Sequence, residues 1–340
     1  MYIDHKEFEG RARWGKTIPK NDLDIDGNGH GTHCAGTIAS RRFGVAKAAN
    51  IIAVKVLGTN GSGTMSDVVD GVVWAAEDAL KTKAAAEAEL KATGKTKHKG
   101  SVANMSLGGG KSQALDDTVN RAVRSGLHFA VAAGNDNKDA CDFSPAAAEF
   151  AVTVGASTLT DERAYFSNHG KCVDVFAPGL QILSTWNSGP DSVNTISGTS
   201  MASPHTAGLL AYLLSIYPSA TFDPSIDATL LPPALDTSLK AHTPSLSRVY
   251  AMAYNCMPNW MTRVLPMPAL FDHDEDTEET FAPIPSLSPA QLKKALLALA
   301  SPNVLVGQGL PTGTPNLLIF NNATDAKGKK WINDEFWANL

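Results

Sequence analysis

Between residues 50 and 210 the chain alternates nearly unbroken apolar runs with stretches whose apolar positions recur at helical spacing, and this alternation leaves few folds open. The runs at 51–57, 101–107, 129–133, 151–155 and 174–177 read as strands covered on both faces, because strands with one wet face alternate apolar and polar residues instead. Between them, 66–80 and 114–125 predict helices, with Ser and Asp near their starts. A βαβα order implies an α/β fold: a mostly parallel sheet with helices on both faces. In such a sheet the functional site lies outside the carboxyl ends of the strands. The polar turns 58–63, 108–111 and 134–138 all follow strands, so they should converge at one edge.

Two segments depart from this pattern. Residues 81–99 are rich in Ala, Lys and Glu and predict a solvated helical extension or loop. Residues 219–287 carry many prolines, acids clustered at 272–279 and no periodicity, which predicts a low-order insertion. Pattern resumes at 288–300, an amphipathic helix opening on Ser-Pro-Ala-Gln, a capped start. The expected organisation is therefore a core over 1–218, the insertion over 219–287, and a helix and tail over 288–340. A net charge of −5 gives no basic footprint for nucleic acid. The longest apolar stretches, such as 206–214, are too short to cross a bilayer, and residues 1–20 lack the apolar run of a signal peptide. Four cysteines in 340 residues are too few for a disulfide-built fold.

Three motifs carry chemistry. In Asp26-Gly27-Asn28-Gly29-His30-Gly31-Thr32-His33-Cys34, glycines before a helix let the backbone turn sharply and leave His30 at the helix start. Small residues behind it allow close packing on the sheet. His33 faces inward, where a structural hydrogen bond suits it better than a metal, since no third ligand is near. In Ser197-Gly198-Thr199-Ser200-Met201-Ala202-Ser203-Pro204-His205, Ser200 sits at the entry of a long buried helix, with Pro204 expected in its first turn, where a missing N–H costs little. Ser200 is either a plain N-cap or a nucleophile, and the second role needs a base and an oxyanion donor. In Ala132-Ala133-Gly134-Asn135, Asn135 ends a buried strand and could offer its amide to an oxyanion beside the backbone N–H of Ser200.

In this order the motifs resemble those of the subtilases, in the proteinase K branch, and within it the fungal vacuolar serine proteases of the cerevisin type. The resemblance runs from Tyr2 to about Pro218 and returns weakly over 287–321. It also includes Phe8-Glu9-Gly10-Arg11-Ala12, Phe43-Gly44-Val45-Ala46-Lys47, Ser106-Leu107-Gly108-Gly109-Gly110 and Ser144-Pro145-Ala146. It implies a subtilisin-like three-layer fold and a serine endopeptidase of broad, mainly hydrophobic specificity working through an acyl-enzyme. His30 would be the general base, Ser200 the nucleophile and Asn135 the oxyanion donor. Gly61, Ser62 and Gly63 on one side, and Leu107, Gly108 and Gly109 on the other, resemble the backbone edges that hold an extended substrate as an added strand. Ala132, Ala133 and Gly134 would wall the primary specificity pocket; simple turn chemistry also accounts for the glycines. The resemblance further implies a Cys141–Cys172 bridge; Cys34, four residues after His30, falls on the same helix face beneath the imidazole and is expected free, and Cys256 unpaired. It places a structural calcium at Asp174 with backbone carbonyls around Glu149 and Ala151, and implies no organic cofactor. The partners it implies are polypeptide substrates and, in the precursor, an N-terminal inhibitory prodomain. Neither nucleic acid nor membrane is a partner, and a monomer in the vacuole or outside the cell is expected. Asn322-Ala323-Thr324 is a glycosylation pattern.

The sequence also departs from the family. Subtilase order is Asp, His, Ser, the aspartate ending the first strand in Asp-Thr-Gly. Tyr2 to Phe8 matches the segment after that strand, so the catalytic aspartate is expected upstream of Met1 and the first strand is missing. Asp4, Asp22, Asp24 and Asp26 read as loop acids. The chain is then expected to have little protease activity, and the alternative is a catalytically inactive subtilase-fold protein known mainly as an antigen or allergen.

Overall fold

The computed structural model of the chain describes residues 1–219, 221–224, 286–307 and 309–321. Most of the expected insertion, with Cys256, and the tail with Asn322 lie outside the described residues. In chain order the elements are β1 (Ala12–Thr17), α1 (His30–Ala39), β2 (Ile51–Lys55), α2 (Met65–Thr93), β3 (Val102–Met105), β4 (Gly109–Gly110), α3 (Gln113–Arg124), β5 (His128–Ala132), β6 (Phe143–Ser144), β7 (Val152–Ser157), β8 (Val175–Pro178), β9 (Ile182–Thr185), β10 (Val193–Ile196), α4 (Thr199–Ile216), α5 (Pro289–Leu299), β11 (Ser301–Pro302) and β12 (Leu317–Leu318).

The central sheet has the order β11-β12-β8-β7-β5-β3. It is parallel from β3 through β12, with only β11 antiparallel. The five buried runs anticipated from sequence all become strands, displaced by a residue or two at their ends. Along β5 the side chains alternate between two cores: Phe129 and Val131 pack with α2 and α3, while Ala130 faces α4 and α5. This period-two split is what a strand covered on both faces requires. The result is three layers, helix, sheet and helix.

β1 and β2 form a separate parallel pair. Among the described residues β2 and β3 share no ladder, so the parallel array is in two pieces. β1 is not legible as a strand, since its sequence ARWGKT carries Arg, Gly and Lys where an apolar run would be. The antiparallel hairpin β9–β10 also goes unanticipated.

Helix α2 runs beyond the expected 66–80, through the Ala/Lys/Glu stretch to Thr93. Thr64 caps its start, accepting from the Asp67 N–H, and Gly94 ends it in a left-handed turn (φ 70°). Of the 81–99 segment, only the part from Gly94 onward is loop. Helix α5 starts on a complete capping box between Ser288 and Gln291, with Pro289 in its first turn, and buries Leu292, Ala295, Leu296 and Leu299. These four join Val152, Val154, Val175 and the apolar side of α4 in one core.

Helix α4 is buried over most of its length because it is sandwiched between α1 and the sheet. Helix α1 approaches β9 closely: a Cβ at Gly36 would lie 2.2 Å from Thr185 Oγ1 and 2.4 Å from Ser184 Oγ. Only glycine fits at that crossing, which answers the expectation that small residues behind His30 permit tight packing.

Candidate active site

β5 and α4 build one half of the site. β5 delivers Ala132, Ala133, Gly134 and Asn135 in sequence, the first two buried and Asn135 exposed to solvent. Two residues pin this strand end. Asn168, fully buried, donates from Nδ2 to the Ala133 carbonyl (2.8 Å), while its Oδ1 accepts from the N–H groups of Asp136 and Lys138 (3.0 Å each). Thr199, also fully buried, accepts the Gly134 N–H at its hydroxyl (3.1 Å). Thr199 also donates twice to Asn135 Oδ1, from its backbone N–H (2.8 Å) and its hydroxyl (3.0 Å). With Oδ1 so engaged, the Asn135 Nδ2 group is the end left to donate.

Asn135 Nδ2 and the Ser200 N–H face one notch. A Cβ built on Gly198 would lie 3.6 Å from each of those nitrogens, so glycine keeps the notch clear. Ser200 is the second residue of α4, where backbone N–H groups have no intrahelical acceptor. Two donors flanking one opening are what an oxyanion needs.

Ser200 and Ser106 clasp each other across the sheet. The Ser200 hydroxyl donates to the Ser106 carbonyl (3.3 Å), and the Ser106 hydroxyl donates to the Ser200 carbonyl (2.7 Å). The Cys34 thiol donates to that same Ser200 carbonyl (3.4 Å). This corrects the reading of Pro204. α4 begins at Thr199, so Pro204 lies past its first turn and removes the N–H that would have reached the Ser200 carbonyl. Ser106 and Cys34 supply the missing bonds.

His30 stands at the first turn of α1, half-buried, with Nδ1 4.0 Å from Cys34 Sγ. Its pKa is raised chiefly by the charge interaction with Cys34, then reinforced by the Cys34 hydrogen bond and Asp26, against burial, which lowers it. His33 Nε2 contacts the carbonyls of Ile182 (3.0 Å) and Asn194 (3.2 Å) and so stitches α1 to the β9–β10 hairpin. That is a structural role.

The acids near His30 in sequence are occupied elsewhere. Asp22 pairs with Lys55, and Asp24 accepts from Thr17. Asp26 caps α1: Oδ1 accepts from the N–H groups of Asn28 and Gly29, and Oδ2 from the Thr32 N–H and hydroxyl. Burial pushes the Asp26 carboxyl up, but the Met1 amino group and the bonds from Thr32 and Gly29 outweigh it and hold it at about 2. Among the described residues no carboxylate hydrogen-bonds His30.

The glycine edges flank these groups. Gly61, Ser62 and Gly63 are exposed, in a loop closed by the Gly58 N–H to the Ser62 carbonyl (2.9 Å). Asn28 Nδ2 reaches the Thr59 carbonyl of that loop (3.4 Å) while Asn28 Oδ1 accepts the His30 N–H (3.3 Å), so the loop lies on the histidine side. Leu107, Gly108 and Gly109 follow Ser106 on the serine side, with Gly109 paired to Ser144. Cys141 and Cys172 form a disulfide with Cα atoms 5.3 Å apart, and Cys34 is free and buried.

The calcium expectation at Asp174 fails the test of its own oxygens. The Lys293 ammonium donates to Asp174 Oδ2 (2.8 Å) and to the carbonyls of Glu149 (2.9 Å) and Ala151 (2.6 Å). The cation there is a side chain of α5. Among the described residues no group of three or more His, Cys, Asp and Glu side chains could hold a metal.

Sequence reading missed Thr199, Asn168, Ser106 and Lys293. Thr199 adjoins Ser200 within its motif and could have been singled out. The others act on partners 30 or more residues away and leave no local signal.

A serine hydroxyl, an imidazole and two converging N–H donors at one edge of a parallel α/β sheet have the makeup of a serine hydrolase. Comparison with known proteins makes the class definite: the chain belongs to the subtilase family, whose model matches residues 4–250. It is 71% identical over 216 residues to the subtilisin-like serine protease Pen c 2 of Penicillium citrinum, covering 64% of this chain and 46% of that protein. It is 52% identical over 319 residues to a subtilisin-like protease of Coccidioides posadasii, covering 94% of this chain and 51% of the relative. The crystal structure of a cold adapted subtilisin-like serine proteinase matches with a TM-score of 0.65 and 37% identity, covering 95% of this chain and 86% of that one. The chain thus spans about half the length of the curated relatives it matches.

Proposed function

We propose that this chain carries the peptide-cleaving core of a serine endopeptidase, with Ser200 as nucleophile, His30 as general base and Asn135 as oxyanion donor. The observation that carries the reading is the junction of β5 and α4. There Thr199 holds Asn135 by its Oδ1 and leaves Nδ2 and the Ser200 N–H facing one notch. In this reading an extended peptide lies between the loop of Gly61, Ser62 and Gly63 and the edge of Leu107, Gly108 and Gly109, pairing with both backbones. Ala132, Ala133 and Gly134 wall the pocket beside the scissile bond. The Ser200 hydroxyl turns from the Ser106 carbonyl and attacks the peptide carbonyl carbon while its proton passes to His30. The carbonyl oxygen, now an anion, moves into the notch. Return of that proton to the leaving amine breaks the C–N bond and leaves an acyl-Ser200, which water hydrolyses by the same steps.

His30 needs a carboxylate at Nδ1 to hold its tautomer and stabilise the imidazolium, and here Nδ1 faces Cys34. We therefore propose that the carboxylate comes from residues outside this sequence and that residues 1–340 alone turn over peptides poorly. Loss of that aspartate costs on the order of 10⁴-fold in kcat in a subtilisin. The antigen-like, non-catalytic reading applies to the chain in that state. The family also supports a prodomain in the precursor, and the fungal relatives support a secreted setting; a vacuolar one is part of this proposal only. Peptide hydrolysis and organophosphonate labelling of Ser200 test the proposal in two forms, residues 1–340 and a version extended upstream through an Asp-Thr-Gly strand. Rapid labelling and Ser200-dependent turnover are expected in the extended form only. Comparable turnover in both would refute the dependence on an upstream aspartate, and an extended form that neither labels nor cleaves would refute the protease reading.

A further inference from the structure

Three oxygens from two segments of the chain converge on the Lys293 ammonium: Asp174 Oδ2 at 2.8 Å, the Glu149 carbonyl at 2.9 Å and the Ala151 carbonyl at 2.6 Å. An ammonium has three protons, and each finds one acceptor here. The cradle does not depend on lysine for its shape. Glu149 and Ala151 lie in the turn that leads into β7, and Asp174 immediately precedes β8, the parallel neighbour of β7. Asp174 is fixed to Thr153 in both directions: its N–H donates to the Thr153 carbonyl (2.9 Å), and its Oδ2 accepts the Thr153 N–H (2.8 Å). The sheet therefore holds one carboxylate and two carbonyls in place, and α5 brings a cation to them from 119 residues further along the chain.

A carboxylate with backbone carbonyls is a hard-oxygen set that suits calcium, which takes such ligands at about 2.3–2.6 Å and completes its shell with water. The observed spacings to the ammonium are a few tenths of an ångström longer, within reach of a small contraction. Lysine and calcium exclude each other, because together they would place three positive charges against one carboxylate in a site where both side chains are about four-fifths covered. We propose that Lys293 is a built-in substitute for a metal ion. It neutralises Asp174, ties the β7–β8 edge to α5, and leaves a latent calcium site that opens when the ammonium is removed. The dependence that a metal would place on calcium concentration is transferred to the docking of α5, whose Leu292, Ala295, Leu296 and Leu299 are buried against the same sheet.

The test uses the full chain, with Lys293→Ala, which opens space, and Lys293→Met, which keeps the stem without the charge. Each is made with and without Asp174→Asn. Calcium chloride titrations of melting temperature and terbium luminescence read occupancy. Both Lys293 variants should gain saturable calcium binding in the millimolar range or tighter and melt lower in chelator than in calcium. Asp174→Asn should abolish both effects. The unaltered chain should show no component of calcium binding that Asp174→Asn removes; if it does show one, the metal coexists with Lys293 and the proposal is overturned. Folded Lys293 variants without Asp174-dependent binding overturn it equally. Should the variants fold only during refolding with calcium, that dependence supports the proposal, and failure to fold under both conditions counts against it.

Discussion

Replacing Thr199 by valine asks whether the oxyanion donor is held by its neighbours or only stands beside them. Valine keeps the shape of this fully buried side chain and the backbone N–H that donates to Asn135 Oδ1 at 2.8 Å. It removes the hydroxyl, which donates to the same oxygen at 3.0 Å and accepts the Gly134 N–H at 3.1 Å. One lost hydrogen bond costs about 1 kcal/mol, and a buried backbone donor left without an acceptor about 1–3 kcal/mol. The sum is a destabilisation of about 2–4 kcal/mol, read as a lower urea midpoint at constant slope. Asn135 then hangs by a single bond and can present its carbonyl to the notch. Removing such a donor outright costs about 10²–10³-fold in kcat in a subtilisin, so a loosened one should cost about 10-fold. Because the oxyanion exists only in the transition state, kcat and kcat/KM should fall together with KM unchanged. The assay is peptide hydrolysis by the upstream-extended form, with Asn135→Ala and the double variant alongside. If Thr199 acts through Asn135, the double variant is no slower than Asn135→Ala. Multiplying losses, or a rise in KM at constant kcat, would refute the reasoning.

Two more outcomes follow from the geometry. His30 must be neutral to accept a proton and its pKa is raised, first by Cys34, so turnover in the extended form should climb with pH through a limb above the ordinary histidine value of 6.5. Cys34→Ala should move that limb to lower pH in the kcat/KM profile, and an unmoved limb would remove Cys34 as the cause. The Cys141–Cys172 bridge closes a loop of 31 residues, worth about 3–4 kcal/mol of chain entropy. The double Cys→Ala variant should lose that much in denaturant melts yet keep its kcat while folded, because Asn168 still pins the Asn135 loop. A loss below about 1 kcal/mol would contradict the loop-closure account.

What could be read from the sequence depended on whether a residue's partners are near it in the chain. β5 and β7 are nearly unbroken apolar runs because they are covered on both faces, and their type follows from composition. α5 announces itself through Ser288, Pro289 and Gln291, a local cap. β1 is half-wet, and its partner β2 lies about 39 residues further on, while the β9–β10 hairpin pairs locally but is built of polar residues such as Ser184, Thr185, Asn194 and Thr195, so neither shows an apolar run. The same division runs through the site. His30, Ser200 and Asn135 sit in motifs whose glycines and helix starts are local, and they could be nominated directly. Asn168 and Ser106 are ordinary polar residues until the fold brings them against the β5 end and α4. Lys293 inverted a reading drawn from resemblance: Asp174 and its carbonyls are where they were expected, and the cation they meet is supplied by α5.

The site divides into two halves with different supports, which bears on how it can fail. Asn135, the Ser200 N–H and the Ser200 hydroxyl are fixed by Thr199, Asn168 and Ser106, all anchored in the six-stranded sheet and α4. His30 rides on α1, which is held by His33 to the β9–β10 hairpin, by Asp26 at its own start, and by packing on α4. The halves touch where Cys34, one turn behind His30, donates to the Ser200 carbonyl freed by Pro204. A carboxylate at His30 Nδ1 would act only on the second half, setting the tautomer without moving the nucleophile or the oxyanion donors. Its addition should therefore leave the notch around Gly198 unchanged and speed proton transfer. In residues 1–340, by the same argument, a ligand that needs only the notch, such as a peptide boronate whose oxygen enters it, should still depend on Asn135. Peptide boronate affinity that is equal in residues 1–340 and in their Asn135→Ala variant would show that the two halves are not independent, and that the first cannot form without the carboxylate strand.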